Sequence, residues 1–318
     1  LWHGDVSNSA RRRILDDPPD CLLITPESLE VILISRRQEK DRFFAKLQAV
    51  VVDEIHAFAG DDRGWHLLSV LERVSRIAGR ELQRVGLSAT VGSPEALLQW
   101  LTGSSKLPRR IIAPAAGGTQ APDVSLDFVG STQNAAAVIT QLHQGEKRLV
   151  FCDSRSRVEE IARELRRGGI ETYVSHSSVG REERHRAEAA FSAATNCVIV
   201  ATSTLELGID VGDLDRVIQI DAPGSVASFL QRLGRTGRRP GTQRNCLFLA
   251  TADDTFMKAA GLLRLWADGY VEPVVPPPLP YHILAHQLMA LALQQGGVGR
   301  QSWQSWIGGM PGFATLPE

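Results

Sequence analysis

Val50-Val51-Val52-Asp53-Glu54-Ile55-His56 is an apolar, β-branched run that ends in two adjacent carboxylates. Side chains alternate faces along a strand, so Asp53 and Glu54 cannot both address one ligand from the middle of a sheet. At a strand's end they can. In an open parallel sheet, ligands bind in the crevice beyond the carboxyl ends of the strands, which makes a strand-terminal Asp-Glu pair a candidate for Mg²⁺ and phosphate chemistry. An acidic loop after a buried strand would look the same locally, so the decision rests on the rest of the chain.

The 318 residues, 43% hydrophobic and 22% charged, suffice for two domains with ordinary cores. No apolar run approaches the roughly 18 residues of a membrane span. Leu1-Trp2-His3 shows neither an initiator Met nor a signal-peptide pattern, so the sequence reads as part of a longer chain. Cys21, Cys152, Cys197 and Cys246 are far apart, each in or beside a strand-like run, which predicts reduced, buried thiols of a cytoplasmic protein rather than disulfides or a zinc site. The net charge of −1 argues against a global attraction to nucleic acid. Among the basic residues 30 are Arg and 5 are Lys, so only arginines in defined positions bear on phosphate binding.

Residues 1–114 alternate strands and helices: strands at 21–24, 47–52 and 82–87, a helix over 64–78, and a second helix opened by Ser93-Pro94-Glu95 with Leu97, Leu98 and Leu101 on one face. Residues 115–123, within an Ala/Gly/Pro-rich stretch, read as a linker. A second α/β set spans 124–271, with strands at 148–152, 197–201, 216–220 and 245–250. The helix after the 148–152 strand is expected to open on a capping box of Ser156 and Glu159, to bury Val158, Ile161, Ala162 and Leu165, and to stop at Gly168-Gly169. A helix is expected over 253–270. Five prolines among residues 272–280 make a stiff connector, and a last helix starts at Tyr281.

The run Val52-Asp53-Glu54-Ile55-His56-Ala57-Phe58-Ala59-Gly60, with Arg63-Gly64 and Leu71-Glu72-Arg73 after it, resembles the large helicase-related (Lhr) family of superfamily-two DExH helicases. The resemblance implies a fold class of α/β type: two tandem RecA-like parallel-sheet domains, the first truncated at its N-terminus, followed at 281–318 by the start of a winged-helix domain. Other stretches fit it. Ser88-Ala89-Thr90, at the end of the 82–87 strand, resembles motif III. Ala201-Thr202-Ser203-Thr204-Leu205-Glu206-Leu207-Gly208-Ile209-Asp210 resembles motif V, where hydroxyls at a strand-to-helix turn can donate to phosphate without reading sequence.

Gln231-Arg232-Leu233-Gly234-Arg235-Thr236-Gly237-Arg238 is the strongest local signal. At about 100° per residue, Val226, Phe229, Leu230 and Leu233 cluster on one helix face while Gln231, Arg235 and Arg238 project together from the other. Two arginines aimed one way suit the stabilisation of a γ-phosphate in the transition state, and the stretch resembles motif VI, the arginine-finger element. Thr25-Pro26-Glu27-Ser28 resembles motif Ib and Phe151-Cys152-Asp153-Ser154-Arg155 resembles motif IV. His176-Ser177-Ser178 resembles the corresponding family segment but carries Ser177 where Gly is usual and Gly180 where Ser is usual.

A helicase of this class needs a Gly-rich phosphate loop ending in Gly-Lys-Ser/Thr, and residues 1–318 contain none; Lys106 follows Gly103-Ser104-Ser105 without the preceding strand or the Gly-Lys order. The family reading therefore takes the sequence to begin after motif Ia. It implies an ATP-dependent translocase with ATP and Mg²⁺ as cofactors, acting on single-stranded DNA or on a DNA/RNA duplex with a single-stranded tail. Asp53 would hold the metal and Glu54 would activate water. Gln231, Gly208, Asp210, Arg235 and Arg238 would face the nucleotide from the second domain, and His56, Ser88 and Thr90 would couple hydrolysis to strand movement. Thr25, Pro26, Glu27, Ser28, Arg155, His176, Thr202, Ser203 and Thr204 would touch nucleic acid. An RNA-directed relative and a non-hydrolysing nucleic-acid scaffold are the alternatives.

Overall fold

In a computed structural model of the chain, described at residues 1–2, 6–35, 40–113, 120–176, 178, 190, 194–203, 214–239, 241–314 and 316, the polypeptide packs as two units: Leu1–Ala113 together with Pro273–Glu318, and Pro114–Glu272. In chain order the first holds helices α1 (Asn8–Asp16), α2 (Pro26–Ile34) and α3 (Lys40–Phe44), strand β1 (Ala49–Val52), α4 (Ile55–Ala59), α5 (Asp62–Ile77), β2 (Gln83–Gly86) and α6 (Pro94–Thr102). The β1–α4–α5–β2 stretch is a parallel crossover, with Val52 opposite Gly86.

Helix α5 is the axis of this unit. Every residue from Gly64 to Val74 is buried, one side against Val52, Ile55, Leu97, Trp100 and Leu101, the other against Trp2, Ile32, Leu33, Phe44 and Leu82. A helix buried all round must satisfy its polar side chains internally. Arg73 donates to Glu30 at 2.6 Å, to Gln287 at 3.0 Å and to Gln294 at 2.8 Å, and His66 meets the other Glu30 oxygen at 2.6 Å. Glu72 accepts from Arg84 and from the Ser104 amide, both at 3.0 Å. Gly64 has no room for a side chain, since a Cβ there would overlap the Phe58 carbonyl and the Trp100 ring.

Three expectations change in this unit. The strand at 21–24 is reduced to a single parallel bridge between Ile24 and Trp2, because the next residue already caps α2. Cys21 is exposed rather than buried. Ser93 precedes α6 without donating or accepting a side-chain cap. The C-terminal helices also pack on α5 and α2: α11 (Tyr281–Gln295) through Gln287 and Gln294, then a short π-helix (Gln304–Gly308) and α12 (Pro311–Ala314) through Ile307, Met310 and Phe313.

The second unit carries β3 (Asp123–Phe128), α7 (Thr132–Gln141), β4 (Lys147–Phe151), α8 (Arg155–Arg167), β5 (Thr172–Ser175), β6 (Cys197–Ala201), β7 (Arg216–Ile220), α9 (Val226–Leu233), β8 (Asn245–Ala250) and α10 (Asp253–Ala267). Its six strands form one parallel sheet in the order β3-β8-β7-β4-β6-β5. Alternation divides the residues cleanly. Leu149, Phe151, Ile199, Val217 and Phe248 face α9 and α10, and Val150, Val198, Val200, Ile218 and Leu249 face α7 and α8. Strands covered on both faces read as continuous apolar runs, and three of them match their expected bounds. Burial pushes the Cys152 and Cys246 thiols up to about 12, as expected of inert core cysteines. Helix α8 begins one residue before Ser156 and is capped by Ser154, whose hydroxyl accepts the Arg157 amide at 3.3 Å; Val158, Ile161, Ala162 and Leu165 are fully buried as expected.

Candidate functional site

The carboxylates stand where β1 turns into α4. Glu54 adopts the left-handed conformation, φ 49° and ψ 42°, which costs a non-Gly residue strain and is characteristic of functional turns. The turn removes the obstacle that strand alternation poses, because Asp53 and Glu54 no longer belong to a regular strand. Glu54 also precedes α4 without using its side chain as a cap, so its carboxylate stays available. Asp53 is exposed and accepts the Glu54 amide at 2.9 Å.

The backbone of β2 continues past its last strand residue: Leu87 donates to Val52 at 2.9 Å, and Ile55 donates to Leu87 at 3.0 Å. These two bonds set Ser88 beside α4. Its hydroxyl lies 3.1 Å from Nδ1 of His56, and Nε2 of His56 lies 3.6 Å from Glu54. Burial lowers the His56 pKa, against the opposing pull of Glu54 and Asp53, which favours a neutral imidazole at pH 7. Asp53, Glu54, His56 and Ser88 are thus brought together. Thr90 is exposed, two residues further along the loop. Thr25 caps α2 by accepting the Ser28 amide at 3.3 Å, Pro26 is the first helical residue, and Glu27 pairs with Arg63 at 2.8 and 3.1 Å. This segment is exposed at Thr25 and Glu27, and it clasps α2 to the start of α5.

In the second unit the carboxyl ends of β4, β5 and β6 gather another group. Arg155, first residue of α8, donates to Ser178 at 2.6 Å, and His176 meets Glu159 at 2.9 Å. Thr202 follows β6 and is tied to β5 by its amide, 3.2 Å from the Ser175 carbonyl, with Ser203 exposed next to it. Thr204, Gly208 and Asp210, like Ser177 and Gly180, lie outside the described residues.

The arginine segment differs from its expectation. Helix α9 stops at Leu233, so Arg235 and Arg238 follow the helix instead of sharing a face with Gln231. Two glycines mark the change. Gly234 closes the helix, and Gly237 takes φ +69° where a Cβ would press on the Arg244 backbone at 2.7 Å. Between them Thr236 locks onto β8, accepting the Asn245 amide at 2.9 Å. Arg235 is buried, whereas Arg238 is exposed with its Nε 3.0 Å from the Gly234 carbonyl. The arginines therefore lie at the amino end of β8, and the Arg155 group lies at the carboxyl ends of β4 to β6.

Asp221 belongs to none of the sequence motifs above. It directly follows β7 in the left-handed region, φ 57°, is buried, binds Arg157, and accepts the Thr251 amide at 2.8 Å. Burial alone would raise its pKa, but hydrogen bonds from Thr255 and Thr251 and the Arg157 charge together hold it below the ordinary carboxylate range. An Asp directly after the apolar run 216–220 was the available signal. A cavity of about 220 Å³ lined by Asp123, Asp127, His143 and Arg216 includes none of the expected site residues. Among the described residues no group of three or more His, Cys, Asp or Glu could hold a metal ion, and no helix is long and apolar enough to cross a membrane.

The DEAD/DEAH box helicase family matches residues 1–97, and the helicase conserved C-terminal domain family matches residues 133–240. The Lhr helicase/probable uracil glycosylase of Mycolicibacterium smegmatis is 32% identical over 99% of this chain and 23% of its own length. The ATP-dependent helicase Lhr-Core of Methanothermobacter thermautotrophicus is 29% identical over 92% of this chain and 36% of its own. The chain thus spans between about a quarter and about a third of the length of these relatives. Among solved structures, Mycobacterium smegmatis helicase Lhr bound to ssDNA and AMP-PNP matches 99% of this chain and 42% of that one, with TM-score 0.84 and 33% identity. The DUF1998 helicase MrfA bound to DNA and AMPPNP shares the fold, with TM-score 0.75 at 23% identity over 92% of this chain and 43% of that one. With a DEAD/DEAH-box domain, a helicase C-terminal domain and tandem RecA-like architecture, the chain belongs to the Lhr family of superfamily-two helicases.

Proposed function

We propose that the protein of which this chain is part hydrolyses ATP to drive movement along single-stranded DNA, with the carboxylates of the first unit and the arginines of the second serving one reaction. The observation that carries this reading is the turn at Glu54, which sets an uncapped carboxylate, an exposed Asp53 and the His56–Ser88 pair at the end of a parallel strand. Mg²⁺ is suited to such a place, since it is usually held by one or two carboxylates with waters and substrate phosphates rather than by an all-protein cage. Asp53 fits that role, and the ion would offset charge on the β and γ phosphates.

Glu54 orients the attacking water and accepts its proton. His56 lies 3.6 Å from Glu54 and is bonded to Ser88, and the two carry the state of the nucleotide toward the strand-binding residues. Arg235 and Arg238, with Gln231, Gly208 and Asp210, act on the nucleotide from the second unit and neutralise charge developing in the transition state. Backbone-directed donors, Arg155 with His176, Thr202, Ser203 and Thr204, and the hydroxyls of Thr25 and Ser28 in the first unit, with Pro26 and Glu27 shaping that segment, suit a strand that must slide, because phosphate contacts position without reading sequence. The AMP-PNP and ssDNA bound to the mycobacterial Lhr structure support this assignment.

Replacing Glu54 tests the reading in the protein of natural length. Glu54→Gln is expected to bind ATP with Mg²⁺ as the parent does and to lose nearly all hydrolysis, because Asp53 is untouched while the base is gone. Turnover close to the parent's would remove Glu54 from the chemistry.

A further inference from the structure

Two covalent stretches join the units. One is the run 114–122, rich in Ala, Gly and Pro. The other is the boundary at Glu272 and Pro273, and it is anchored on both sides. On the second unit, Glu272 accepts the Val226 amide at 2.8 Å and the Ala227 amide at 3.0 Å, so its carboxylate clamps the first turn of α9. Burial alone would raise the Glu272 pKa, but these two amides together with its own backbone N–H hold the carboxyl below its ordinary value. Helix α9 is the element that runs, through Gly234, into Arg235 and Arg238.

On the first unit, Val274 packs into the cluster of Val52, Ile55 and Ala59, and its Cγ1 sits where it would just touch a Cβ on Gly60 at 3.8 Å. Three residues on, the Pro277 carbonyl accepts the indole N–H of Trp65 at 2.8 Å. Val274 and Trp65 thus hold the chain against the α4–α5 turn, whose first helix starts from Glu54.

A single residue, Pro273, separates the two anchors. Two residue steps span at most about 7 Å, and a proline-rich segment is stiff, so displacement at one anchor reaches the other with little slack. We propose that Glu272, Val274 and Trp65 are positioning residues that make residue 273 a pinned joint, so that α9 with its arginines and the Glu54 turn respond to one another through the chain itself. The inference rests on the function proposed above, since it assigns a role in coupling the two halves of that reaction. It requires no particular arrangement of the units, only the two anchors and the short chain between them.

The test inserts Gly-Ser-Gly-Ser between Glu272 and Pro273 in the natural-length protein. Both anchors survive, and lengthening a connection costs little closure entropy, so the melting temperature and the KM for ATP should stay near the parent's. The ssDNA-stimulated kcat should fall by about 10- to 10²-fold, the scale expected of misplaced catalytic groups. Glu272→Ala, which keeps the chain length but frees the first turn of α9, should lower kcat in the same way without raising KM, and it carries the test should the insertion unfold the protein. Parental kcat in a folded insertion variant, or in Glu272→Ala, would overturn the joint. If the parent itself shows no stimulated hydrolysis, the proposed function fails, and the joint fails with it; the parent control separates that result from a failure of the joint alone.

Discussion

The two units reach an α/β architecture by different physical means. The second is a six-stranded sheet whose central strands are buried on both faces, with side chains of Val, Ile, Leu and Phe at or near zero exposure. The first, in its described residues, has a two-stranded sheet with Val51 and Leu87 exposed. Its interior is organised by the buried helix α5, cross-linked through Glu30, His66, Arg73, Gln287 and Gln294. Apolar layers tolerate conservative change, whereas a buried ionic cluster holds only while every member is present. The strained Glu54 turn sits in the unit held by the less forgiving means.

The largest expected effect follows from breaking that cluster. Glu30→Ala leaves the Arg73 guanidinium buried without its carboxylate, and should cost the first unit about 3–5 kcal/mol. Chemical denaturation followed by limited proteolysis should show the first unit opening early while the strands of the six-stranded sheet stay protected. Equal loss in both units would erase the distinction between them.

A smaller effect comes from acid. Burial alone would raise the Glu30 pKa, but the hydrogen bond and charge of His66, the Gln287 amide and the Arg73 charge together bring it down from 4.5 to about 2. A carboxyl whose folded pKa is depressed contributes stability above its unfolded value and loses it as pH falls through the folded one. The first unit should therefore weaken as pH drops from about 4.5 to about 2, and Glu30→Gln should flatten that dependence. A titration in which both proteins lose stability in parallel would show that other carboxylates dominate.

Smallest is the change in the apolar unit. Ile218→Val removes one methylene from a sheet position at zero exposure and should cost about 0.5–1.5 kcal/mol. Ser131→Ala, which removes the hydroxyl that accepts the Asn134 amide at the start of α7, should cost about 1 kcal/mol. Losses as large as that of Glu30→Ala would mean that the second unit depends on particular side chains as much as the first.

The same contrast explains what could be read from the sequence. Strands β6, β7 and β8 were legible because a strand covered on both faces is a short, uninterrupted apolar run. The face of α8 was legible from its helical spacing. The packing of α11 on α2 was not, since Gln287 meets Glu30 across 257 residues and a lone Gln in an apolar helix announces no partner. The carboxylates were legible as a pair, but the left-handed Glu54 that makes them usable was not, because Glu carries no conformational signal of its own. The arginines were read one turn too far along a helix: the 100° count continued past Gly234, where the helix closes, and through Gly237, whose left-handed φ no helix accommodates.

If the proposed hydrolysis needs the arginine segment as well as the Glu54 carboxylate, removing the Arg235 guanidinium removes the reaction. In the natural-length protein, phosphate release at saturating ATP and single-stranded DNA should fall by roughly 10³ in Arg235→Ala, with DNA affinity close to the parent's. Basal hydrolysis that survives in Arg235→Ala while DNA binding is lost would contradict the account and assign the arginine segment to the strand instead of the nucleotide.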